Sequence, residues 1–253
     1  MKNNSIVSLI VPCYNEEANI QKGVLDKIGN YTKNNNRFIE VIIVDDGSSD
    51  SSKKIIKERY LPQFPKFKLV ENSHQGKAIA VITGIKESKG NYVMFSDIDL
   101  ATPIEEVERL IKAVNEGYDI IIGSRTSTRE GAPLSRKILT LGSIVVRSYA
   151  IGLRGIHDTQ CGFKIFKKDV ALKIISKLKV FRPNHKVNGP SVSAGFDLEF
   201  LFLATKLNYK IKEVPVIWRH VETKNVNFIH DAIESLKDIA QIKYYHMTGK
   251  YDL

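Results

Sequence analysis

Short apolar runs, each followed by polar turn residues, recur through the first half of the chain. The runs are β-branched or aromatic and nearly continuous, which is typical of strands buried on both faces of a parallel sheet. Strands are predicted at residues 8–11, 41–44, 68–70, 92–96 and 118–122. Helices are predicted between them, at about 16–33, 50–60, 75–88 and 103–116. This alternation predicts an α/β fold, a Rossmann-like and mostly parallel sheet flanked by helices.

The second half of the chain has a less regular pattern. A polar loop at 126–133 leads into a long apolar and basic segment at 134–154. Beyond it the pattern predicts an edge strand at 163–166, helices at 170–178 and 196–207, a last strand at 212–218 and a terminal helix at about 227–247. No stretch is rich enough in Gly, Pro or Ser to act as a linker, so residues 1–253 are predicted to form a single domain.

Acidic residues close two of the predicted strands. Asp45 and Asp46 follow the second strand, and Asp97 and Asp99 follow the fourth. Open α/β sheets bind ligands at the carboxyl ends of their strands, and Asp-Ile-Asp spacing puts two carboxylates on one side of an extended chain. Hard oxygen ligands of this kind suit Mg²⁺ or Mn²⁺ holding a diphosphate. The pattern therefore predicts nucleotide-sugar chemistry, with Asp97 and Asp99 as the metal ligands.

Composition and charge narrow the class of protein and its partners. A content of 43% hydrophobic and 26% charged residues argues against disorder. The net charge of +10 favours polyanions such as nucleotides, phosphorylated lipids and anionic membrane surfaces. Cys13 and Cys161 lack metal-ligand spacing, which indicates a reducing, cytoplasmic compartment. The sequence shows no signal peptide, no apolar run of about 18 residues and no nucleic-acid-binding motif, so we expect neither a membrane span nor a nucleic-acid partner.

Several motifs resemble, in their order along the chain, those of the family-2 inverting glycosyltransferases of the GT-A fold. They include Pro-Cys-Tyr-Asn-Glu-Glu at 12–17, Asp-Asp-Gly-Ser at 45–48, the Asp-x-Asp (DxD) motif at 97–99 and Gln-Cys-Gly-Phe-Lys at 160–164. Shorter matches occur at 76–78, 123–125 and 195–199. Within the family the chain is similar to polyprenyl-phosphate sugar synthases, particularly dolichyl-phosphate glucosyltransferases. The resemblance implies transfer of a hexose, with UDP-glucose as the favoured donor, to a polyprenyl or dolichyl phosphate.

The resemblance assigns residues 1–125 to nucleotide-sugar binding. It implies that the donor is bound by Pro12, Tyr14, Glu16, Glu17, Asp45, Asp46, Gly76, Lys77, Asp97 and Ile98. Asp99 is the expected direct ligand of Mg²⁺ or Mn²⁺, and Asp97 is expected nearer the ribose or sugar. Lys77 also fits an exposed lysine at the start of a helix.

Residues 126–226 are assigned to the acceptor. Arg125, Ser135 and Arg136 are the expected ligands of the lipid phosphate, for which arginine offers bidentate recognition. Asp158 matches an acid near the reaction centre, so Asp99, Asp158 and Arg125 are the predicted catalytic residues. Whether Asp158 deprotonates, orients another group or is a loop carboxylate tied to an arginine stays open.

Two basic amphipathic segments bear on membrane attachment. Residues 134–154 and the terminal helix both combine apolar positions at helical spacing with basic residues, which fits either an interfacial helix or a helix covering the core. For the terminal helix the default is core packing through Ile229, Ile233, Leu236 and Ala240. Eukaryotic relatives carry an amino-terminal membrane anchor that this pattern lacks. We therefore expect a peripheral enzyme at the cytosolic membrane face, or a soluble acceptor.

Other functions stay open or are excluded. Transfer to a saccharide hydroxyl would need a true general base, and a mannosyltransferase using GDP-mannose would share most of these motifs. A non-catalytic nucleotide or nucleic-acid binder would rest on the net charge alone. Sugar nucleotidyltransferases typically have a glycine-rich loop after the first strand. Residues 12–15 hold Pro-Cys-Tyr-Asn there, which excludes that class.

Overall fold

The structure, a computed structural model, describes residues 6–125, 146, 148–181, 194–219 and 228–253, and of 194 and 228–232 only the backbone. Seven strands in these residues form one sheet in the order β3-β2-β1-β4-β6-β5-β7. The strands are β1 (Val7–Cys13), β2 (Phe38–Asp45), β3 (Phe67–Glu71), β4 (Tyr92–Ser96), β5 (Ile120–Ser124), β6 (Phe163–Lys167) and β7 (Ile211–Pro215). Every predicted strand is present.

The sheet is mostly parallel, as predicted. β1 pairs in parallel with β2 and β4, β2 with β3, and β5 with β7, whereas β6 is antiparallel to both β4 and β5. The predicted edge position of residues 163–166 is wrong, because β6 lies inside the sheet. Lysines are typical of edge strands. Here, however, Lys164 is buried and its ammonium is paired with Asp197.

Helices cover both faces of the sheet. Those of the first half are α1 (Glu17–Gln21), α2 (Val24–Lys33), α3 (Ser52–Ile55), α4 (Leu61–Gln63), α5 (Lys77–Glu87) and α6 (Val107–Asn115). A π-helical turn, Ile56–Tyr60, joins α3 to α4, and a 3₁₀ turn, Ile104–Glu106, precedes α6. The second half contributes α7 (Lys168–Lys177), α8 (Ala194–Lys206) and α9 (Phe228–Met247). The single helix predicted at 16–33 is divided at Gly23, whose φ of 76° is left-handed.

Alternate residues of each strand enter two different cores. Ile10 faces the core under α5, α7, α8 and α9, whereas its neighbours Leu9 and Val11 face the core under α2 and α6. This division follows from the two-residue period of a strand, and it explains why the strands read as continuous apolar runs. The architecture is therefore a three-layer sandwich whose functional edge is set by the strand ends.

The terminal helix packs through a different stripe from the one predicted. Ile239 and Ile242 are buried against the core, whereas Ile233 and Leu236 are 48% and 53% exposed. The prediction failed because the helix carries two apolar stripes, and periodicity alone does not say which one has a neighbour. Of the helices in the described residues, none has the length and apolarity that a bilayer span requires. Most of the predicted amphipathic segment at 134–154 lies outside the described residues.

Candidate active site

One edge of the sheet collects the predicted functional residues. Parallel strands β1, β2, β4 and β5 all end there, and the antiparallel β6 begins there. Ser96 at the end of β4 pairs with Phe163 at the start of β6. As a result, the Asp97 amide donates to the Gly162 carbonyl at 3.1 Å. The reversed strand thus brings a segment from the second half of the chain beside the acidic motif of the first half.

The loop after β1 is held by the turn after β2. Asn15 donates its amide to the Ser48 hydroxyl at 2.9 Å, and its side-chain oxygen accepts from the Ser49 amide at 2.8 Å. The Glu17 carboxylate accepts from the Ser51 amide at 3.1 Å, and the Glu16 carboxylate from the Asn19 side chain at 2.6 Å. Both predicted donor-binding glutamates therefore already have a hydrogen-bond partner, and the bonds of Asn15 and Glu17 join the first motif to the turn after β2.

Asp45 and Asp46 are almost fully buried at the end of β2. The Asp46 carboxylate accepts from the amides of Gln75 and Gly76, at 3.1 and 2.7 Å, and lies 2.8 Å from Nδ1 of His74. In Asp45, Oδ2 accepts from the Ser48 amide, while Oδ1 is buried without a hydrogen-bond partner in the described structure. Both aspartates therefore accept hydrogen bonds from backbone amides of the loops that are predicted to bind the donor. Asp46 in particular positions the loop that carries Gly76.

An aromatic pair lies beside this loop. The rings of Tyr14 and His74 stack with their centroids 4.0 Å apart and their planes 12° from parallel. Pro12, two residues before Tyr14, is a buried residue of β1. Tyr14 could be selected from its motif, but its stacking partner could not, because 60 residues separate the two rings. A flat aromatic surface of this kind suits a nucleobase.

The acidic motif forms a turn instead of continuing β4. The strand ends at Ser96, and the Leu100 amide donates to the Asp97 carbonyl at 3.3 Å. Ile98 is buried between the two aspartates. The prediction that residues 97–99 form an extended chain is therefore wrong, because the turn begins directly after the strand. Burial raises the pKa of Asp99; the Ala101 amide opposes this effect and the charge of Asp97 adds to it. The two carboxylates are thus close enough to repel.

This acidic pair fits a divalent cation. Burial, with the charge of Asp97 adding to it, raises the pKa of Asp99, and a bound cation would offset both effects. Two carboxylates leave the other positions of an octahedral ion to diphosphate oxygens and water, which is the usual mode for Mg²⁺. Within the described ranges, no three acidic, histidine or cysteine side chains converge on one point. Gly162 gives Asp97 its space, since a Cβ there would lie 2.0 Å from Oδ2 of Asp97.

Two lysines lie beside the acidic motif. Lys77, the first residue of α5, places its ammonium 2.5 Å from Oδ1 of Asp97. Burial would lower the pKa of Lys77, but the charge of Asp97 outweighs it and the pKa is raised. Lys164 is buried and contacts both Asp197, at 2.9 Å, and the Cys161 carbonyl, at 2.6 Å. Sequence reasoning did not assign Lys164 a role, although a lysine inside an apolar strand was a usable signal.

Arg125 and Asp158 form a bidentate ion pair. Nε and a terminal nitrogen of the guanidinium lie 2.7 and 2.8 Å from the Asp158 oxygens, and the Arg125 amide adds a bond of 3.0 Å. Burial alone would raise the pKa of Asp158, but the bonds and charge of Arg125 outweigh it and lower the pKa to about 2. Of the roles left open for Asp158, this geometry favours orientation of Arg125 over proton abstraction.

A small cavity of about 40 Å³ joins the two halves of the site. Asp97 and Arg125 both line it, so the predicted donor and acceptor groups face the same space. Trp218, beyond the end of β7, also lines it and lies 5.9 Å from the Arg125 guanidinium. Neither Trp218 nor its neighbour in the lining, Gln160, was predicted as a site residue. The predicted phosphate ligands Ser135 and Arg136 lie outside the described residues.

Comparison with known proteins gives a family and several relatives. The family model for glycosyl transferase family 2 matches residues 8–175. A dolichyl-phosphate beta-glucosyltransferase of Dictyostelium discoideum is 32% identical, over 97% of this chain and 76% of its own length. The enzymes of that name from Saccharomyces cerevisiae and Homo sapiens are each 29% identical, over 97% and 98% of this chain and 76% and 78% of their own.

Solved structures show the same fold at low identity. Glucosyl-3-phosphoglycerate synthase from Mycobacterium tuberculosis, crystallised with Mn²⁺, UDP and glucosyl-3-phosphoglycerate, superposes with a TM-score of 0.68 and 16% identity. The match covers 95% of this chain and 80% of that one. A second crystal of the same enzyme contains Mn²⁺, UDP-glucose and phosphoglyceric acid, with the same TM-score. The predicted GT-A fold is therefore confirmed.

Proposed function

The chain belongs to glycosyl transferase family 2, and we propose that it transfers glucose from UDP-glucose to a polyprenyl or dolichyl phosphate. One observation supports this proposal most directly: Asp97 and Arg125 line one cavity. A carboxylate suited to a cation–diphosphate and a guanidinium suited to a phosphate thus face the same small space, where the proposed donor and acceptor sites adjoin. The relatives named dolichyl-phosphate beta-glucosyltransferase support the choice of sugar and acceptor.

The donor side of the site would bind the nucleoside diphosphate. In the proposal, the Tyr14 and His74 rings contact the base, while Asp97 and Asp99 hold Mg²⁺ or Mn²⁺ against the diphosphate. When bound, the ion offsets the negative charge that develops on the leaving diphosphate. Asp46 keeps the loop of Gly76 in place through the backbone bonds described above. The structure neighbours containing Mn²⁺ and UDP support a divalent cation and a uridine donor.

The acceptor side would supply a nucleophile that is already charged. A phosphate oxygen of the lipid attacks the anomeric carbon, the new carbon–oxygen bond forms, and the bond to the diphosphate breaks with its electron pair going to UDP. Because the attacking oxygen carries no proton at neutral pH, this reaction needs no general base. It needs a cation that orients the phosphate, and Asp158 fixes the Arg125 guanidinium for that purpose.

We further propose that the protein works at the cytosolic membrane face as a peripheral enzyme. The net charge of +10 attracts an anionic surface, and α9 exposes Ile233, Leu236 and Tyr244 along one side. Apolar side chains with lysines nearby are typical of an interfacial helix.

A transfer assay with two competing donors tests the proposed function. Purified protein is mixed with polyprenyl phosphate, Mn²⁺ and either labelled UDP-glucose or labelled GDP-mannose, and the label in the organic phase is counted. We expect label from UDP-glucose alone, and its loss when a chelator is added. Label from GDP-mannose alone would show that the donor is GDP-mannose instead of UDP-glucose. Label that persists in chelator would show that transfer needs no divalent cation. Donor hydrolysis without any lipid product would overturn the acceptor.

A further inference from the structure

Among the described residues, the charged groups around the acidic motif form ion pairs, except for one carboxylate that has no basic partner. The described site contains three ion pairs, Arg125–Asp158, Lys164–Asp197 and Lys77–Asp97, with N–O distances of 2.7, 2.9 and 2.5 Å. In the part of the chain that the structure describes, no basic group lies within ion-pair distance of Asp99. Over the described residues, the groups around the acidic motif therefore carry one surplus negative charge, next to the pair formed by Lys77 and Asp97.

Lys77 is the most loosely held of the three cations. The Lys164 side chain is 2% exposed and has a backbone carbonyl as a second acceptor, and Arg125 is gripped by both Asp158 oxygens. Lys77 is 31% exposed, and its partner Asp97 is 38% exposed. A lysine ammonium is a point charge on a flexible four-carbon stem, and partly exposed ion pairs of this kind contribute little to stability. Such a pair can exchange partners at little cost.

We propose that Lys77 is an exchangeable counterion of the donor site. Its ammonium neutralises Asp97 until a divalent cation and the nucleoside diphosphate bind, and then moves from Asp97 to the diphosphate. Charge balance favours the exchange, because a divalent cation neutralises Asp97 and Asp99 together, and the released ammonium offsets charge on the phosphates. This inference rests on the proposed function and adds to it an order of binding: the cation alone competes with Lys77, whereas the cation with its diphosphate does not.

Binding of Mn²⁺ to the protein without nucleotide tests the exchange. The free ion is measured by electron paramagnetic resonance for the wild type and for Lys77→Met, which keeps the aliphatic stem. Lys86→Met is the matched control, because Lys86 lies near the other end of the same helix. We expect Lys77→Met to bind Mn²⁺ alone roughly two- to fivefold more tightly than the wild type, the size of one partly exposed ion pair. Lys86→Met should match the wild type.

A second titration, of UDP in saturating Mn²⁺, completes the test. Here Lys77→Met should bind more weakly than the wild type, so the two titrations move in opposite directions. Lys77→Gln serves as a second variant, and circular dichroism establishes that each variant is folded.

The outcomes separate this inference from the proposed function. Unchanged or weaker binding of Mn²⁺ alone in both Lys77 variants overturns the exchange. If the wild type still binds UDP in a Mn²⁺-dependent way, the proposed donor site stands without it. A wild type that binds UDP equally well with and without Mn²⁺ overturns both.

Discussion

Two aspartates of the site differ in pKa because their neighbours differ. Asp158 and Asp99 are both aspartates at the sheet edge, yet the charge of Arg125 lowers the pKa of the first, whereas burial and Asp97 raise that of the second. Their opposite shifts have opposite consequences for stability. The ionised form of Asp158 is favoured by folding, and the ionised form of Asp99 is disfavoured.

The lowered pKa of Asp158 predicts that the stability of the protein falls at acid pH. Its pKa of about 2 in the folded protein lies below the ordinary value of 3.8, so its contribution is full above pH 4 and is lost as the pH falls towards 2. The contribution is about 2 kcal/mol. Chemical denaturation between pH 2 and 6 should show this loss in the wild type and its absence in Asp158→Asn.

A matched control is Asp119→Asn, because Asp119 pairs with Lys167 at 2.7 Å near the opposite end of the strands. Its pKa is lowered too, since the bonds from Lys167 and the Lys210 amide outweigh burial. Asp119→Asn should therefore alter stability without changing the KM for the lipid phosphate, which Asp158→Asn should raise. Equal pH profiles for wild type and Asp158→Asn would contradict the ion pair.

Substitution of Asp99 should raise the stability of the protein and weaken its binding of the donor. Because the pKa of Asp99 is raised in the folded protein, its ionisation costs stability as the pH rises. Asp99→Asn should therefore unfold at a slightly higher temperature than the wild type at pH 7, and should lose more than about tenfold in Mn²⁺-dependent affinity for UDP. Calorimetry and a UDP titration measure the two effects. Unchanged affinity for UDP in excess Mn²⁺ would remove Asp99 from the metal site.

Among the helices and strands, the position of each strand along the chain could be predicted from the sequence. Which element packs beside which could not. The apolar runs located all seven strands, most clearly the inner ones, because burial on both faces makes a strand nearly continuously apolar. The interior place of β6 buries Lys164, whose charge is paired with Asp197, 33 residues away, and no local pattern records that contact. The same limit applies to α9, where Ile239 and Ile242 are buried instead of Ile233 and Leu236.

The contact between β6 and β4 yields a prediction of its own. A Cβ at Gly162 would lie 2.0 Å from Oδ2 of Asp97, so Gly162→Ala must displace that carboxylate. We expect a loss of roughly tenfold or more in Mn²⁺-dependent UDP affinity, because the metal ligand itself moves. Gly117→Ala is the control: it strains a positive φ at a helix end, and its Cβ meets nothing within 4 Å. It should lower stability by about 1 kcal/mol and leave UDP binding unchanged.

Gly162→Ala variants that bind UDP as tightly as the wild type would show that Asp97 tolerates displacement. The proposed metal site would then depend on Asp99 alone.

At the scale of the whole molecule, the motifs predicted which edge of the sheet is functional. Strand ends gather at one edge by topology, so Asp45, Asp97 and Arg125 could be placed together from the sequence. Their interactions could not, because the Tyr14–His74 stack and the Arg125–Asp158 pair each join distant segments. The predicted roles of Ser135 and Arg136 stay predictions.

Net charge and the exposed stripe of α9 predict salt-sensitive attachment to membranes. The protein should float with phosphatidylserine vesicles at low salt and be largely released at about 0.5 M salt, because surface attraction is screened over a few ångströms there. Neutral vesicles of phosphatidylcholine are the control. Equal recovery with both vesicle types, or none with either, would contradict an anionic membrane partner.

The anomeric configuration of the lipid product shows directly how the phosphate attacks the sugar. In the proposed mechanism, a phosphate oxygen, held by Arg125, attacks the sugar directly from the side opposite the UDP. Product made from UDP-glucose and polyprenyl phosphate is isolated and its anomeric carbon is examined by NMR. Because the donor is an α-glucoside, attack from the opposite side should give a β-linked glucosyl phosphate. An α-linked product, or glucose attached to any atom other than a phosphate oxygen, would contradict this mechanism.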